Sequence, residues 1–128
     1  MISFGMPTLI ELNSLEESAA LCRELGLKFI ELNMSFPQNQ LEKLDVDELL
    51  RIKEKYGIFY TVHLDEELNP CSLNTGVRQA YVENVLGTVE LARKLGIPTL
   101  NMHILRGIYC TLPTKRVYIY EENEPVYL

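Results

Sequence analysis

Apolar and polar residues follow one order three times along the chain, an amphipathic helix and then a strand. The first unit opens with a capping box, Ser14 and Glu17, and Gly26 is placed to end the helix. The spacing of the apolar residues predicts a helix with one buried face. That face carries Leu15, Ala19, Cys22 and Leu25.

The second and third units repeat this order. Asp45 and Glu48 form the second cap, and Gly57 and Gly96 end the two helices. Gly87 inside the third, longer helix carries a mild local cost. The predicted apolar positions are Leu49, Leu50 and Tyr56 in the second helix, and Tyr81, Val85, Val89 and Ala92 in the third.

With an opening strand at residues 1–6, the predicted order is β-α-β-α-β-α-β. Strands that alternate with amphipathic helices indicate right-handed crossovers and a parallel sheet. The third unit is longer because of residues 65–75, the loop after the strand "YTVHLD". In parallel α/β folds such a loop lies at the carboxyl edge of the sheet, where sites are built.

Alternate residues of the three later strands form two faces with different character. An apolar face and a face that turns polar at its carboxyl end are typical of a (β/α) barrel, since a doubly wound sheet is apolar on both faces. The apolar face reads Ile30, Leu32, Ile58, Tyr60, Val62, Leu64, Pro98, Leu100, Met102 and Ile104. The other face reads Phe29, Glu31, Asn33, Phe59, Thr61, His63, Asp65, Thr99, Asn101 and His103.

The strand count predicts only part of such a barrel. A closed barrel has about eight strands and about 250 residues, whereas this chain of 128 residues offers about four parallel strands with three helices on one face. We therefore predict an α/β fold of the (β/α)-barrel type, a half or truncated TIM barrel, and expect residue 128 not to be the natural terminus. Two half-barrels assembling into one, and a small open α/β sheet, are the alternatives.

The chain is expected to form one domain, residues 1–128, in which residues 105–128 are a loop or extended tail. The segments "IYCTL" and "RVYIY" on either side of residues 113–115 indicate a hairpin or a long βα loop. The final "EPVYL" is a candidate start of a fourth helix.

His63 and His103 are the two histidines of the chain. Both lie on the polar face of neighbouring strands at the same edge. Because adjacent strands lie about 4.8 Å apart, two imidazoles at matching height can share one metal ion or ligand. The alternative is a pair of core or rim histidines bonded to backbone groups; the shared edge favours a site.

Other polar residues of this edge are candidates for binding a substrate. Glu31 could bind substrate hydroxyls or tune a histidine, or be a solvated carboxylate. Asn33 and Asn101 could bind a polyol or satisfy the barrel interior. Asp65 is expected to start a turn rather than to orient His63. Weaker candidates are Glu11 in the first βα loop, Arg106 after the fourth strand, and Lys115 and Arg116 beside tyrosines.

Composition narrows the classes of partner. Twelve basic and eighteen acidic residues give a net charge of -6, which disfavours nucleic acid, because duplex affinity rests largely on neutralising phosphates. The amino terminus lacks a basic signal region, and no apolar run reaches membrane-spanning length. Three cysteines without a CxxC motif indicate reduced thiols in a cytoplasmic protein.

Three segments of the sequence resemble the xylose isomerase-like barrels, the group of sugar phosphate isomerases, epimerases and abasic-site endonucleases. They are "SLEE…ELGLKFIEL" with Glu31 at its strand end, "TVHLDEELNPCSLN" and "ARKLGIPTLNMHI". The resemblance covers most of the chain and half of the family barrel. In the endonucleases, histidines at the positions of His63 and His103 look like metal ligands, whereas most ligands of the epimerases come from later strands, so His63 could instead bind substrate.

The resemblance implies a sugar or sugar-phosphate isomerase or epimerase. Such an enzyme acts by metal-assisted proton transfer next to a carbonyl, with a divalent metal such as Zn, Mn or Mg. The expected metal ligands are His63 and His103, the expected substrate-binding residues are Glu31, Asn33, His63 and Asn101, and no catalytic residue is assigned. The chain by itself is expected to be inactive and to dimerise through open sheet edges. An endonuclease at abasic DNA and a non-catalytic half-barrel module are the alternatives.

Overall fold

A computed structural model describes residues 2–103 and 108–122. Strands and helices alternate through the main body in the predicted order. The elements are β1 (Gly5–Pro7), α1 (Leu15–Glu24), β2 (Phe29–Asn33), α2 (Val46–Tyr56), β3 (Phe59–His63), α3 (Thr75–Leu95) and β4 (Leu100–Asn101). Two 3₁₀ turns, Pro37–Asn39 and Leu41–Lys43, precede α2, and β5 (Tyr109–Thr111), β6 (Arg116–Tyr118) and α4 (Ile119–Glu122) follow.

The main sheet is parallel, and its strands lie in the order β1-β2-β3-β4. A doubly wound sheet reverses its strand order at a switch point, whereas a barrel adds each strand beside the previous one. The sequential order therefore confirms the prediction of a partial (β/α) barrel. The first and fourth strands are shorter than predicted, since their described parts pair over Gly5–Pro7 and Leu100–Asn101.

The predicted caps set the ends of the helices. Ser14 Oγ accepts a hydrogen bond from the backbone N–H of Glu17, and Asp45 Oδ1 accepts from Asp47 and Glu48. At the other ends the chain leaves each helix through a glycine with positive φ, a backbone conformation that residues with a Cβ rarely adopt. These are Gly26, Gly57 and Gly96.

The apolar face of the sheet is covered by α1, α2 and α3 and forms the core. Its central residues are no more than 5% exposed, as predicted for β2 and β3. Toward β4 the prediction holds for Leu100, which packs against the core, and is wrong for Pro98, which is exposed, and for Met102, which is 49% exposed. Ile104 lies outside the described residues. The buried members are Ile30, Leu32, Ile58, Tyr60, Val62 and Leu64.

Three helical positions predicted to face the core are exposed. Leu25 is the C-cap of α1, where the chain turns away from the helix. Leu50 follows the buried Leu49, and successive helical residues point about 100° apart. Val89 likewise follows the buried Thr88, whereas Ala92 is buried and Tyr81 and Val85 pack against the core, as predicted.

Two polar groups of the core, a phenol and a thiol, lie against backbone oxygens. The Tyr60 hydroxyl donates to the backbone oxygen of Leu49 at 3.1 Å, and burial raises the pKa of this phenol. Cys22 lies against the backbone oxygen of Phe29, and burial raises the pKa of its thiol. Both groups are therefore neutral at pH 7 and serve packing.

Two glycines allow close approach. A Cβ on Gly5 would lie 2.4 Å from the ring of Phe29, which stacks on Phe59 with ring centroids 5.1 Å apart. A Cβ on Gly87 would lie 2.9 Å from Leu41 Cδ1. The local cost of a glycine in α3 thus makes room for the turn that precedes α2.

The segment after β4 contains a hairpin. β5 and β6 pair antiparallel, with Tyr109 opposite Tyr118. Of the two predicted alternatives, a hairpin and a long βα loop, the hairpin is observed. Arg116 lies over the Tyr109 ring at 4.4 Å. The predicted helix start at residues 124–128 lies outside the described residues. No helix in the described ranges is long and apolar enough to cross a bilayer.

Candidate functional site

The carboxyl ends of β2, β3 and β4 bring polar side chains to one edge of the sheet. His63 pairs in register with Asn33 on one side and with Asn101 on the other. Directly paired residues of a parallel sheet point to the same face. The three side chains therefore form one row, and His103 follows Asn101 by two residues on the same face.

The imidazoles of His63 and His103 lie together, as predicted. Their ring centroids are 4.8 Å apart, with the rings inclined by 65°. His63 Nδ1 lies 2.9 Å from the backbone oxygen of Leu64. Because this oxygen can only accept, the contact is a hydrogen bond when Nδ1 carries the proton, and Nε2 is then the nitrogen that offers a lone pair to a metal ion.

Glu66 adds a carboxylate to the histidine pair. Ligand atoms of His63, Glu66 and His103 all lie within 4.8 Å of one another, and His103 Nε2 is 3.8 Å from Glu66 Oε1. Two imidazoles and one carboxylate are a donor set that catalytic zinc sites use, with a fourth position left for water or substrate. His63 is half-buried and the other two are exposed, so the cluster is accessible from solvent.

The loop after β2 supports the loop that carries Glu66. The backbone N–H of Glu66 donates to Ser35 Oγ at 3.1 Å. Ser35 in turn donates its N–H to Asn33 Oδ1 at 2.9 Å. Asn33, predicted to bind substrate, thus uses its side-chain oxygen to fix a turn beside the site.

Glu31 and Asn101 contact each other across β3. Asn101 Nδ2 donates to Glu31 Oε2 at 2.5 Å, and we call this contact the Glu31–Asn101 bridge. Glu31 is half-buried and Asn101 is exposed. A carboxylate and an amide held together at the open face can each exchange this bond for one to a ligand hydroxyl.

Asp65 starts a turn, as the sequence indicates. Its Oδ1 accepts from the backbone N–H of Glu67 at 2.9 Å, and its Oδ2 is 3.5 Å from Gln40 Nε2. It does not orient His63, whose Nδ1 contacts the Leu64 carbonyl.

The sequence of this chain matches the profile of a known protein family. The sequence profile of the xylose isomerase-like TIM barrel matches residues 19–122. The chain belongs to this family. No curated protein matches its sequence.

Solved structures share the fold. A D-tagatose 3-epimerase-like protein has 25% sequence identity and a TM-score of 0.64 over 77% of this chain and 36% of its own. D-psicose 3-epimerase in the presence of D-fructose has 18% identity and a TM-score of 0.58 over 77% and 37%. AsfvAP:AG has 17% identity and a TM-score of 0.54 over 80% and 39%. The chain therefore spans less than two fifths of the length of each.

The structure describes three other candidates from the sequence, one in a loop and two in the hairpin after β4. Glu11 is exposed in the loop between β1 and α1. Lys115 is an exposed residue of the hairpin turn, and Arg116 stacks on Tyr109. Arg106 lies outside the described residues. The polar group at this edge of the sheet thus comprises Glu31, Asn33, Asn101 and the two histidines, with Glu66 from the following loop.

Two residues at or beside the candidate site, Glu66 and Asn39, were not predicted from the sequence. Glu66 follows His63 by three residues in the extended loop, and that short spacing was the available signal. Asn39, only 4% exposed, donates to Thr8 Oγ1 at 3.0 Å and to the backbone oxygen of Asn33 at 2.8 Å. This bonding ties the loop after β2 to the strand ends. Nothing in the local sequence distinguishes Asn39 from an exposed loop residue.

Proposed function

We propose that this chain forms part of a sugar or sugar-phosphate isomerase or epimerase, which acts by metal-assisted proton transfer next to a carbonyl. The observation that carries the proposal is the cluster of His63, Glu66 and His103 beside the Glu31–Asn101 bridge. A metal-binding set and a polyol-binding set then share one edge of a family barrel. The two 3-epimerases among the similar structures support a ketose as the substrate class.

The metal would be held by His63 through Nε2, by His103 and by Glu66. Imidazole ligands suit zinc better than magnesium, which prefers oxygen, and the carboxylate of Glu66 is a ligand that manganese also takes. A bound cation supplies polarisation of the substrate carbonyl oxygen. His63 contributes its ring in a fixed orientation, because its Nδ1 is bonded to the Leu64 carbonyl.

Substrate hydroxyls would bind to Glu31, Asn101 and the amide group of Asn33. Glu31 accepts hydrogen bonds and Asn101 both donates and accepts, and alternating donors and acceptors suit a row of hydroxyls. The base that removes the proton is not assigned to a residue of this chain. We therefore propose that the 128-residue chain binds a ketose but does not turn it over alone.

Calorimetric titration tests this function. The full chain is titrated with D-psicose, D-tagatose and D-fructose, with Zn²⁺ or Mn²⁺ present and after chelation. We expect binding that depends on the metal and is lost in His63→Ala, with no conversion of the sugar. Binding that ignores the metal would contradict the proposed site, and turnover by the isolated chain would contradict its inactivity.

The His63–His103 pair also favours a second candidate, a metal-dependent endonuclease at abasic DNA. The net charge of -6 opposes this candidate. Salt-dependent binding to a duplex with an abasic site, absent for an undamaged duplex, would favour it. A half-barrel without chemistry, acting as an assembly or binding module, is the third candidate, and it predicts neither metal-dependent sugar binding nor DNA binding.

We also propose a homodimer formed through the open edges of the sheet. Apolar residues lie at both sides, with Phe4 69% exposed before β1 and Met102 49% exposed after β4. Unpaired strand edges of this kind favour association. Three free thiols, of which Cys110 is exposed, support a reducing compartment such as the cytoplasm.

A further inference from the structure

Thr61, in the middle of β3, has a buried hydroxyl without a partner. The residue is 8% exposed, and among residues 2–103 and 108–122 no hydrogen-bond partner reaches its Oγ1. Other buried polar side chains are bonded: Thr88 Oγ1 donates to the backbone oxygen of Asn84 at 3.0 Å. An unpaired buried hydroxyl is costly, so it calls for an explanation.

The position of Thr61 relates it to the Glu31–Asn101 bridge. Thr61 pairs in register with Glu31, and His63, two residues on, pairs with Asn101. All four residues therefore share the polar face of the sheet. By this register, a bond from Glu31 to Asn101 crosses β3 between Thr61 and His63, and the bridge therefore lies next to Thr61 on the polar face.

We propose that Thr61, Glu31 and Asn101 form a subsite for one hydroxyl group of a polyol, the Thr61 subsite. The identity of the polyol as a sugar rests on the proposed function. The ligand hydroxyl replaces the bridge, donating its proton to Glu31 and accepting from the Thr61 hydroxyl. Asn101 Nδ2 then turns to a second oxygen of the ligand.

The donors and acceptors fit a hydroxyl better than a cation. Asn101 directs its N–H₂ group toward Glu31, whereas a cation between them would require the amide oxygen. A hydroxyl both donates and accepts, and this matches a carboxylate on one side and an O–H on the other. The subsite thus explains why a threonine, and not its apolar isostere valine, lies next to the bridge.

Thermal unfolding of Thr61→Val is the first test. Valine has nearly the same shape and removes the unpaired hydroxyl, so the melting temperature without ligand should rise by about 3 °C. Thr88→Val is the matched control, because it removes a buried hydroxyl that is bonded, and it should not rise. A loss of stability in Thr61→Val would overturn the proposal, since it would mean that the hydroxyl has a partner in the folded chain.

The second test is titration of the full chain with D-psicose, followed by NMR of the Thr61 methyl and the Asn101 side-chain amide. Both signals should shift saturably, and Thr61→Val should bind about fivefold more weakly, the loss of roughly one hydrogen bond. The absence of a saturable shift, or equal affinity in Thr61→Val, would overturn the subsite.

These outcomes separate the subsite from the proposed function. If D-psicose shifts both signals equally with and without metal, the metal-assisted function fails and the subsite stands. If binding depends on metal but Thr61→Val binds as tightly as the wild type, the function stands and the subsite fails. A shift caused by Mg²⁺ alone at these two residues would identify a cation site and also overturn the proposal.

Discussion

Asn101 donates a 2.5 Å hydrogen bond to Glu31 although β3 lies between their strands. The bridge joins the second and fourth strands at the edge where the histidines meet. The bridge fixes the position of the Glu31 carboxylate at an open face. An isolated glutamate side chain would not stay in one position there, because ordering it costs rotamer entropy.

Exchange of the two groups tests the bridge. Asn101→Asp places two carboxylates together and should lower the free energy of unfolding at pH 7 by about 1 kcal/mol. The loss should shrink as the pH falls toward about 4 and be absent below it, because repulsion raises the pKa of one carboxyl above its ordinary value and protonation relieves the repulsion. The double variant Glu31→Gln/Asn101→Asp restores an amide–carboxylate pair and should recover the stability. Additive losses in the double variant, measured by denaturant unfolding, would contradict the bridge.

Glu16 on α1 contacts two cationic side chains of α2, and the stability of the fold should therefore depend on pH. Arg51 lies 2.8 Å and Lys55 2.5 Å from its carboxylate, and hydrogen bonds to these two hold the pKa of Glu16 at about 2. A lowered pKa stabilises the fold above the ordinary value of 4.5, and the contribution is lost as the pH falls toward 2. Glu16→Gln should therefore be less stable than wild type at pH 7 and converge with it at low pH.

High salt should reduce the difference in stability between wild type and Glu16→Gln, because the ion pairs of Glu16 with Arg51 and Lys55 are exposed and salt screens them. Glu54→Gln, at an exposed position of α2, serves as the control. Equal pH profiles for wild type and Glu16→Gln, measured by thermal unfolding, would mean that the cluster contributes nothing.

Gly5 is required by the ring of Phe29. A methyl group would lie 2.4 Å from that ring, which is held against Phe59. Gly5→Ala should destabilise by about 1–3 kcal/mol through overpacking. Gly87→Ala is the comparison: its methyl group meets only the end of Leu41, and the helix gains about 1 kcal/mol. A loss in Gly87→Ala as large as in Gly5→Ala would contradict this distinction.

Because the main sheet has open edges, we expect the chain to form a dimer in solution. Light scattering behind gel filtration should give the mass of two chains, and Phe4→Glu, at the β1 edge, should shift it to one. Leu25→Glu removes a similarly exposed apolar residue from the outer helix layer, 60% exposed, and should leave the dimer intact. A monomeric wild type would contradict association through the edges.

The strand periodicity made much of this fold predictable. Alternation in "FIEL" and "FYTVHL" indicated the buried face and the polar face, and the paired histidines followed from strand spacing. Helix rotation was less predictable, because Leu49 and Leu50 are both apolar and the sequence does not say which faces the sheet. The Val89 prediction failed because the buried neighbour is polar: Thr88 can face the core since its hydroxyl is bonded to the backbone oxygen of Asn84.

Contacts made by loops and by side chains of distant strands lay beyond the sequence pattern. Glu66 reaches the histidines because Ser35, far away in sequence, holds its backbone. The Glu31–Asn101 bridge joins residues separated by two helices. Such contacts depend on tertiary packing and cannot be predicted from the local periodicity of the sequence.

Titration with zinc tests the central claim most directly, namely that His63, Glu66 and His103 form one metal site. Calorimetry of the full chain should show one Zn²⁺ per chain, and His63→Ala and His103→Ala should each weaken binding by at least about tenfold. Glu66→Gln should also weaken it, while Glu67→Gln, one residue along the same loop, should match the wild type. Absence of saturable binding, or histidine variants that bind zinc as tightly as the wild type, would contradict the account.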